Sequence, residues 1–179
     1  MTEFRTGDWM QTFTGRQFWP LDPRPDEVFI EDIAHALSMQ CRYGGHCRRF
    51  YSVAEHSVHV ARSVPREHAR WALLHDASEA YVVDVPRPLK RFLAGYKPAE
   101  DRVMAAICAR FSLPEDMPTE VDVIDKRIVT DERANLSTSF ARWDSTPEPI
   151  GVDLNYWLPA QARAVFLAEF RWLFPEHAG

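Results

Sequence analysis

The 179-residue chain has only three cysteines, three lysines and seven glycines, and its longest apolar runs are short. Cys41, Cys47 and Cys108 are an odd number and show no paired framework. A disulfide-stapled scaffold is therefore excluded, and a reducing, cytoplasmic setting is expected. No stretch approaches the roughly 18 apolar residues of a membrane span. The opening MTEFRTGDWMQTF has no apolar run able to serve as a signal peptide. Internal repeats and low-complexity tracts are also absent. The net charge of −5 argues against a general nucleic-acid coat or an anionic-membrane binder. Basic residues divide into 18 arginines and 3 lysines. Arginine is the better phosphate fork, although genomic base composition alone produces such a bias.

An apolar share of 46% and a charged share of 26% describe a globular chain rather than a disordered one. A chain this long buries about 70% of its unfolded surface and needs no cross-links. One domain is expected, residues 28–179, preceded by an aromatic, turn-rich arm over 1–27. Thr14-Gly15 suggests a short hairpin in that arm. An exposed apolar hairpin is a liability in a monomer, so the arm is expected to make a subunit contact, and the protein to be a homo-oligomer.

From Ile30 the pattern is helical. Ile30, Ile33, Ala34, Leu37 and Cys41 follow the 3.6 period, with Gly44-Gly45 as the stop. Ser52-Val53-Ala54-Glu55 reads as a capping box. It opens a helix bearing Val53, His56, Val60 and Val64 on one face. Pro65 starts a helix running through Trp71, Leu74 and His75 to about Tyr81, where Pro86 and Pro88 end it. Further helices are expected from Pro88 through Leu93, from Pro98 through Phe111, from Thr119 through Val129, and from Pro159 to Leu173. Residues 137–157 read as a connection. About six helices and almost no strand pattern make the fold all-α.

Three features carry chemistry. His56 sits on an apolar helix face. His75-Asp76 is followed by Glu79 one turn later and by Asp84 beyond the helix. Asp125 lies on a face with Val121, Ile124 and Ile128. Each alone has an ordinary structural explanation, such as a hydrogen-bonded core histidine. Together they are harder to dismiss, because an ionised carboxylate on an apolar face is costly without a partner charge. A divalent cation held by two imidazoles and two carboxylates meets that need.

The order His56, His75-Asp76, Asp125 resembles the H…HD…D signature of the HD-domain metal-dependent phosphohydrolase superfamily. FYSVAEHSVHVA (50–61) followed by WALLHDASEAYVVDVPRPLKR (71–91) is similar to one branch of it. That branch holds the bacterial 5′-deoxynucleotidases and the small phage-type enzymes that hydrolyse dATP. The likeness covers roughly residues 28–136 and implies an HD-type helical bundle.

It also implies a divalent transition metal (Mn, Co, Zn or Fe) on His56, His75, Asp76 and Asp125, with a second, Mg²⁺, ion as an option. Glu79 matches the position that handles a metal-bound water. Asp84 matches the one beside the sugar, where a 2′-hydroxyl is excluded. Lys90 matches a phosphate-contacting lysine. Arg42-Tyr43 sits where the branch has an Arg-aromatic pair touching phosphate and nucleoside, and His46 follows in the departing segment Gly44-Gly45-His46. The implied activity is hydrolysis of a nucleotide, either dNMP to deoxynucleoside and phosphate or dNTP to deoxynucleoside and triphosphate. A signalling-nucleotide hydrolase and a non-catalytic nucleotide-binding module are the rival readings. His59 and His68 are expected to be solvated, and Cys41 to be core.

Overall fold

The computed structural model describes residues 4–136 and 146–177. Of the connection expected over 137–157, residues 137–145 lie outside that range. Two short strands, β1 (Met10–Gln11) and β2 (Gln17–Phe18), pair antiparallel with Met10 opposite Phe18. The loop closes through Gly15 N–H to Thr12 O at 3.0 Å, with Gly15 at φ +81°. The arm is tied into the fold rather than free of it. Phe18 has no exposed surface and stacks on Tyr81 with ring centres 3.8 Å apart.

The helices are α1 (Ile30–Met39), α2 (Val53–Ser63), α3 (Ala69–Leu74), α4 (Glu79–Val82), α5 (Arg87–Lys90), α6 (Tyr96–Phe111), α7 (Thr119–Glu132) and α8 (Pro159–Leu173). Six of these eight exceed a single turn, and the architecture among the described residues is an all-α bundle with a short N-terminal hairpin. None of the helices is long and apolar enough to cross a membrane.

α2 is the axis of the bundle. It packs on α1, α3, α7 and α8, and every residue from Val53 to Ala61 is buried. A helix covered all round must satisfy its polar groups inside the protein. Ser57 does so by donating its hydroxyl to Val53 O at 3.0 Å. Ser52 caps the helix as expected, accepting from Glu55 N–H at 3.1 Å. The reciprocal half of the box is missing, because the Glu55 carboxylate reaches across to Asn155, Tyr156 and Trp157 instead. Those three backbone donors offer more than the single N–H of Ser52.

Several boundaries differ from the periodic reading. α1 ends at Met39, not at the glycines, because Gln40 turns extended and Cys41 forms a bridge with Ser52. Cys41 is accordingly half-buried rather than core. The helix expected to continue to Tyr81 is broken into α3 and α4. Between them Ala77 N–H reaches Leu74 O at 3.0 Å and Glu79 N–H reaches Asp76 O at 3.0 Å, the i→i+3 pattern of a tightened turn. His59 is buried, not solvated, and lies parallel to the Trp157 ring. Both depend on the 155–157 segment folding back over α2. His68 is partly exposed and pairs with Glu120 at 3.5 Å.

Candidate metal centre

Three elements bring the histidines and aspartates together. α2 carries His56 at its buried centre, the tightened turn after α3 carries His75 and Asp76, and α7 carries Asp125. The Nε2 atoms of His56 and His75 are 3.2 Å apart. Asp125 Oδ1 lies 3.1 Å from the first and 3.6 Å from the second. Asp76 Oδ2 lies 3.6 Å from His56 Nε2 and 3.3 Å from His75 Nε2. His56, His75 and Asp125 offer three ligand atoms within 4.8 Å of one another, a group that can hold a metal ion.

The far sides of the two rings decide what faces the centre. His56 Nδ1 is 2.7 Å from Glu132 Oε1, and His75 Nδ1 is 2.7 Å from Ala72 O. A carbonyl accepts only, and so does an ionised carboxylate. Both Nδ1 atoms must therefore donate, so each neutral ring turns an Nε2 lone pair inward. Two lone pairs meeting at 3.2 Å repel unless a cation lies between them. A ring that takes a proton relieves this repulsion by donating from its Nε2. Burial and Arg42 oppose a charged His56, yet Glu132 and Asp125 outweigh them and raise it to about 9. Burial opposes a charged His75 as well, and Asp76 and Asp125 raise it. Burial works against the Asp125 carboxylate, but hydrogen bonds from both imidazoles hold it far below the usual range.

Spacing supports the same conclusion. Ligands at the usual 2.0–2.1 Å from a tetrahedral ion are about 3.3–3.4 Å apart. The observed separations of 3.1–3.6 Å bracket that value.

The remaining candidates fall into two groups. Glu79 and Asp84 join Asp76 in a patch of carboxylates. Burial first, then the neighbouring charges of Asp76 and Asp84, pushes Glu79 up to about 10. Its Oε2 is buried without a hydrogen-bond partner among the described residues. Burial also raises Asp84, against Arg42. Lys90 Nζ stands 2.5 Å from Glu100 Oε1 and 3.9 Å from Glu79 Oε1. Arg42 and Tyr43 instead converge on Glu132. Arg42 donates Nε and Nη2 to Glu132 Oε2 at 3.3 and 3.2 Å and Nη1 to Asp76 Oδ2 at 3.5 Å. The Tyr43 hydroxyl donates to the same Glu132 oxygen. His46 is exposed and makes no side-chain hydrogen bond or ion pair among the described residues.

Two contributors were not expected from the sequence. Glu132 lies two turns after Asp125 on the same stripe of α7, so an i, i+7 spacing was the available signal. Gln40 had none. Its amide donates to Glu79 O at 2.9 Å and accepts from Asp84 N–H at 2.9 Å. This clasp spans Val83, which sits at φ +71°, a backbone region that a β-branched residue rarely adopts. Tyr96 secures the other side by donating its hydroxyl to Val83 O at 2.5 Å. That pinned turn fixes the backbone at Asp84.

No protein-family model matches the chain. Among curated proteins, it is 43% identical over 127 residues to the uncharacterized protein YfdR of Escherichia coli, covering 71% of each chain. It is 34% identical to the uncharacterized protein RCAP_rcc00048 of Rhodobacter capsulatus, over 96% of this chain and 98% of that one. The chain belongs to the YfdR family. The match to RCAP_rcc00048 spans nearly the whole length of both proteins, so the N-terminal arm and the bundle fall within one related unit.

Proposed function

We propose that the protein is a metal-dependent phosphohydrolase of deoxynucleotides, cleaving either a monophosphate to deoxynucleoside and phosphate or a triphosphate to deoxynucleoside and triphosphate. The observation that carries this reading is the pair of imidazole Nε2 atoms 3.2 Å apart, flanked by Asp125 and Asp76. His56, His75, Asp76 and Asp125 would hold a divalent transition metal. Such an ion supplies charge neutralisation at a phosphate ester and lowers the pKa of a coordinated water.

The chain's own groups account for the rest. Lys90 is a cation at the edge of the carboxylate patch, within reach of a phosphate's outer oxygens. Glu79 has a buried oxygen with no partner among the described residues, which suits it to exchange a proton with the attacking water or with the leaving oxygen. Water attacks phosphorus, the bond from phosphorus to the sugar oxygen breaks, and that oxygen leaves with a proton. Asp84, its backbone fixed by the Val83 turn, accepts a hydrogen bond from a 3′-hydroxyl while crowding a 2′-hydroxyl.

The test is a panel of dNMPs, NMPs and dNTPs with Mn²⁺, Co²⁺ and Mg²⁺, with phosphate and triphosphate read separately. Turnover of deoxynucleotides over ribonucleotides, dependent on added metal, is expected. Metal-independent turnover, or none with any member, would sink the proposal. Equal turnover of ribo- and deoxynucleotides would remove the sugar-reading role of Asp84.

A further inference from the structure

Glu132 has no exposed surface and accepts from three side chains at once. His56 comes from the centre of α2, and Arg42 and Tyr43 from the turn after α1. The same helix that supplies Asp125 thus supplies, two turns later, the anion that orients a second member of the centre. The turn is built around this meeting. Tyr43, Gly44 and Gly45 follow one another at φ +58°, +60° and +82°. Two of these are glycines, which take that region freely, whereas Tyr43 is held there against its preference. Its hydroxyl ends on Glu132. Arg42 then bridges Glu132 to Asp76, the remaining carboxylate at the two imidazoles.

We propose that Glu132 is a positioning residue for the metal centre, and that Tyr43 and Arg42 belong to its support rather than to the surface that receives a nucleoside. This rests on the metal reading above. The physical argument is one of orientation. A histidine presents a fixed nitrogen only when its other nitrogen is held. Ala72 O performs that task for His75, and Glu132 for His56. Tyr43, tethered through its hydroxyl, has a ring that cannot leave to stack on a base without breaking the hydrogen bond to Glu132. Arg42, with its Nε and both Nη groups engaged by two carboxylates, holds Asp76 and Glu132 in register.

The experiment is a calorimetric titration of metal-stripped, full-length protein with Mn²⁺ and Co²⁺, together with the Co²⁺ visible spectrum and the Tm of each variant. Glu132→Gln keeps shape and an acceptor, and it should weaken metal binding about 10-fold and shift the Co²⁺ bands, with Glu132→Ala nearer 100-fold. Should Glu132→Ala fail to fold, Glu132→Gln decides. Tyr43→Phe keeps the ring and loses only the hydroxyl. The positioning role requires a smaller loss of metal affinity in the same direction, whereas a base-stacking role requires none. Glu132→Gln and Tyr43→Phe proteins with wild-type affinity and spectrum, even at a lowered Tm, would overturn the inference alone. A wild-type protein that binds neither metal would overturn the reading beneath it as well.

Discussion

Glu55 and Glu132 are both carboxylates without exposed surface, and their hydrogen-bond donors differ in kind, although Glu55 also has His59 Nε2 at 3.6 Å. Glu55 receives three backbone N–H groups, from Asn155 and Tyr156 at 2.8 Å each and from Trp157 at 2.7 Å. Glu132 receives side chains only, from His56, Arg42 and Tyr43. The first arrangement closes the segment leading into α8 over the central helix. The second ties together groups at the candidate metal centre. Glu55 and His56 are adjacent in sequence, so one helix, buried from Val53 to Ala61, turns one carboxylate toward the 155–157 segment and an imidazole toward the candidate metal centre. A carboxylate among three backbone donors fixes the course of the chain that supplies them. A carboxylate among an imidazole, a guanidinium and a phenol fixes the direction of side chains at the candidate metal centre.

The sharpest way to break this contrast is at the candidate metal centre. Asp125→Ala should lower turnover by more than the roughly 100-fold that a supporting partner costs, and bound metal should fall with it. Helix content by circular dichroism should stay near wild type. An Asp125→Ala protein that keeps its metal and activity would show that α7 does not contribute a ligand. Glu79→Gln comes next. It should retain metal while kcat drops by about 100-fold or more, because the proton-transfer group is gone and the shape remains. Loss of metal in that variant would make Glu79 a ligand instead.

The reverse pattern is expected at Glu55. Glu55→Ala leaves three backbone N–H donors without their buried acceptor and should cost about 3 kcal/mol of stability in a denaturant titration. Metal bound per folded molecule should not change. A Glu55→Ala protein with normal stability and depleted metal would erase the distinction between the two carboxylates.

The smallest effect is expected at the arm. A hydrogen bond from Arg5 holds Asp22 below its usual pKa of 3.8, with Arg5 also 4.2 Å over the Trp19 ring. A carboxylate with a lowered folded pKa stabilises the folded state above its ordinary pKa, and that contribution is lost as pH falls through the folded value. Trp19 fluorescence should therefore change in acid, at a pH below 3.8, before the bundle melts. Asp22→Asn should remove that early phase. An unchanged acid profile in the variant would mean that the Arg5–Asp22 pair does not govern the acid transition of the arm.

Element types and the central residues of the centre were legible in the chain itself. The 3.6-residue recurrence of Ile30, Ile33, Ala34 and Leu37 placed α1, Ser52 placed the start of α2, and Pro159 the start of α8. Such signals are local: they depend on spacing and on capping chemistry within one or two turns. His56, His75, Asp76 and Asp125 were also legible as a group, and the described residues bring them within 3.6 Å of one another's imidazoles. What spacing could not supply was every relationship that crosses the bundle. Glu132 meets His56 across 76 residues and Arg42 across 90, and Glu55 meets Trp157 across 102. Gln40 clasps Asp84 across 44. The tightened turn at His75–Ser78, the early end of α1 and the burial of His59 follow from such contacts. A helix boundary moves by a turn when a distant partner offers a better hydrogen bond than the next carbonyl does. Periodicity records which face of a segment is apolar, while the identity of the neighbour on that face is set by how the helices pack.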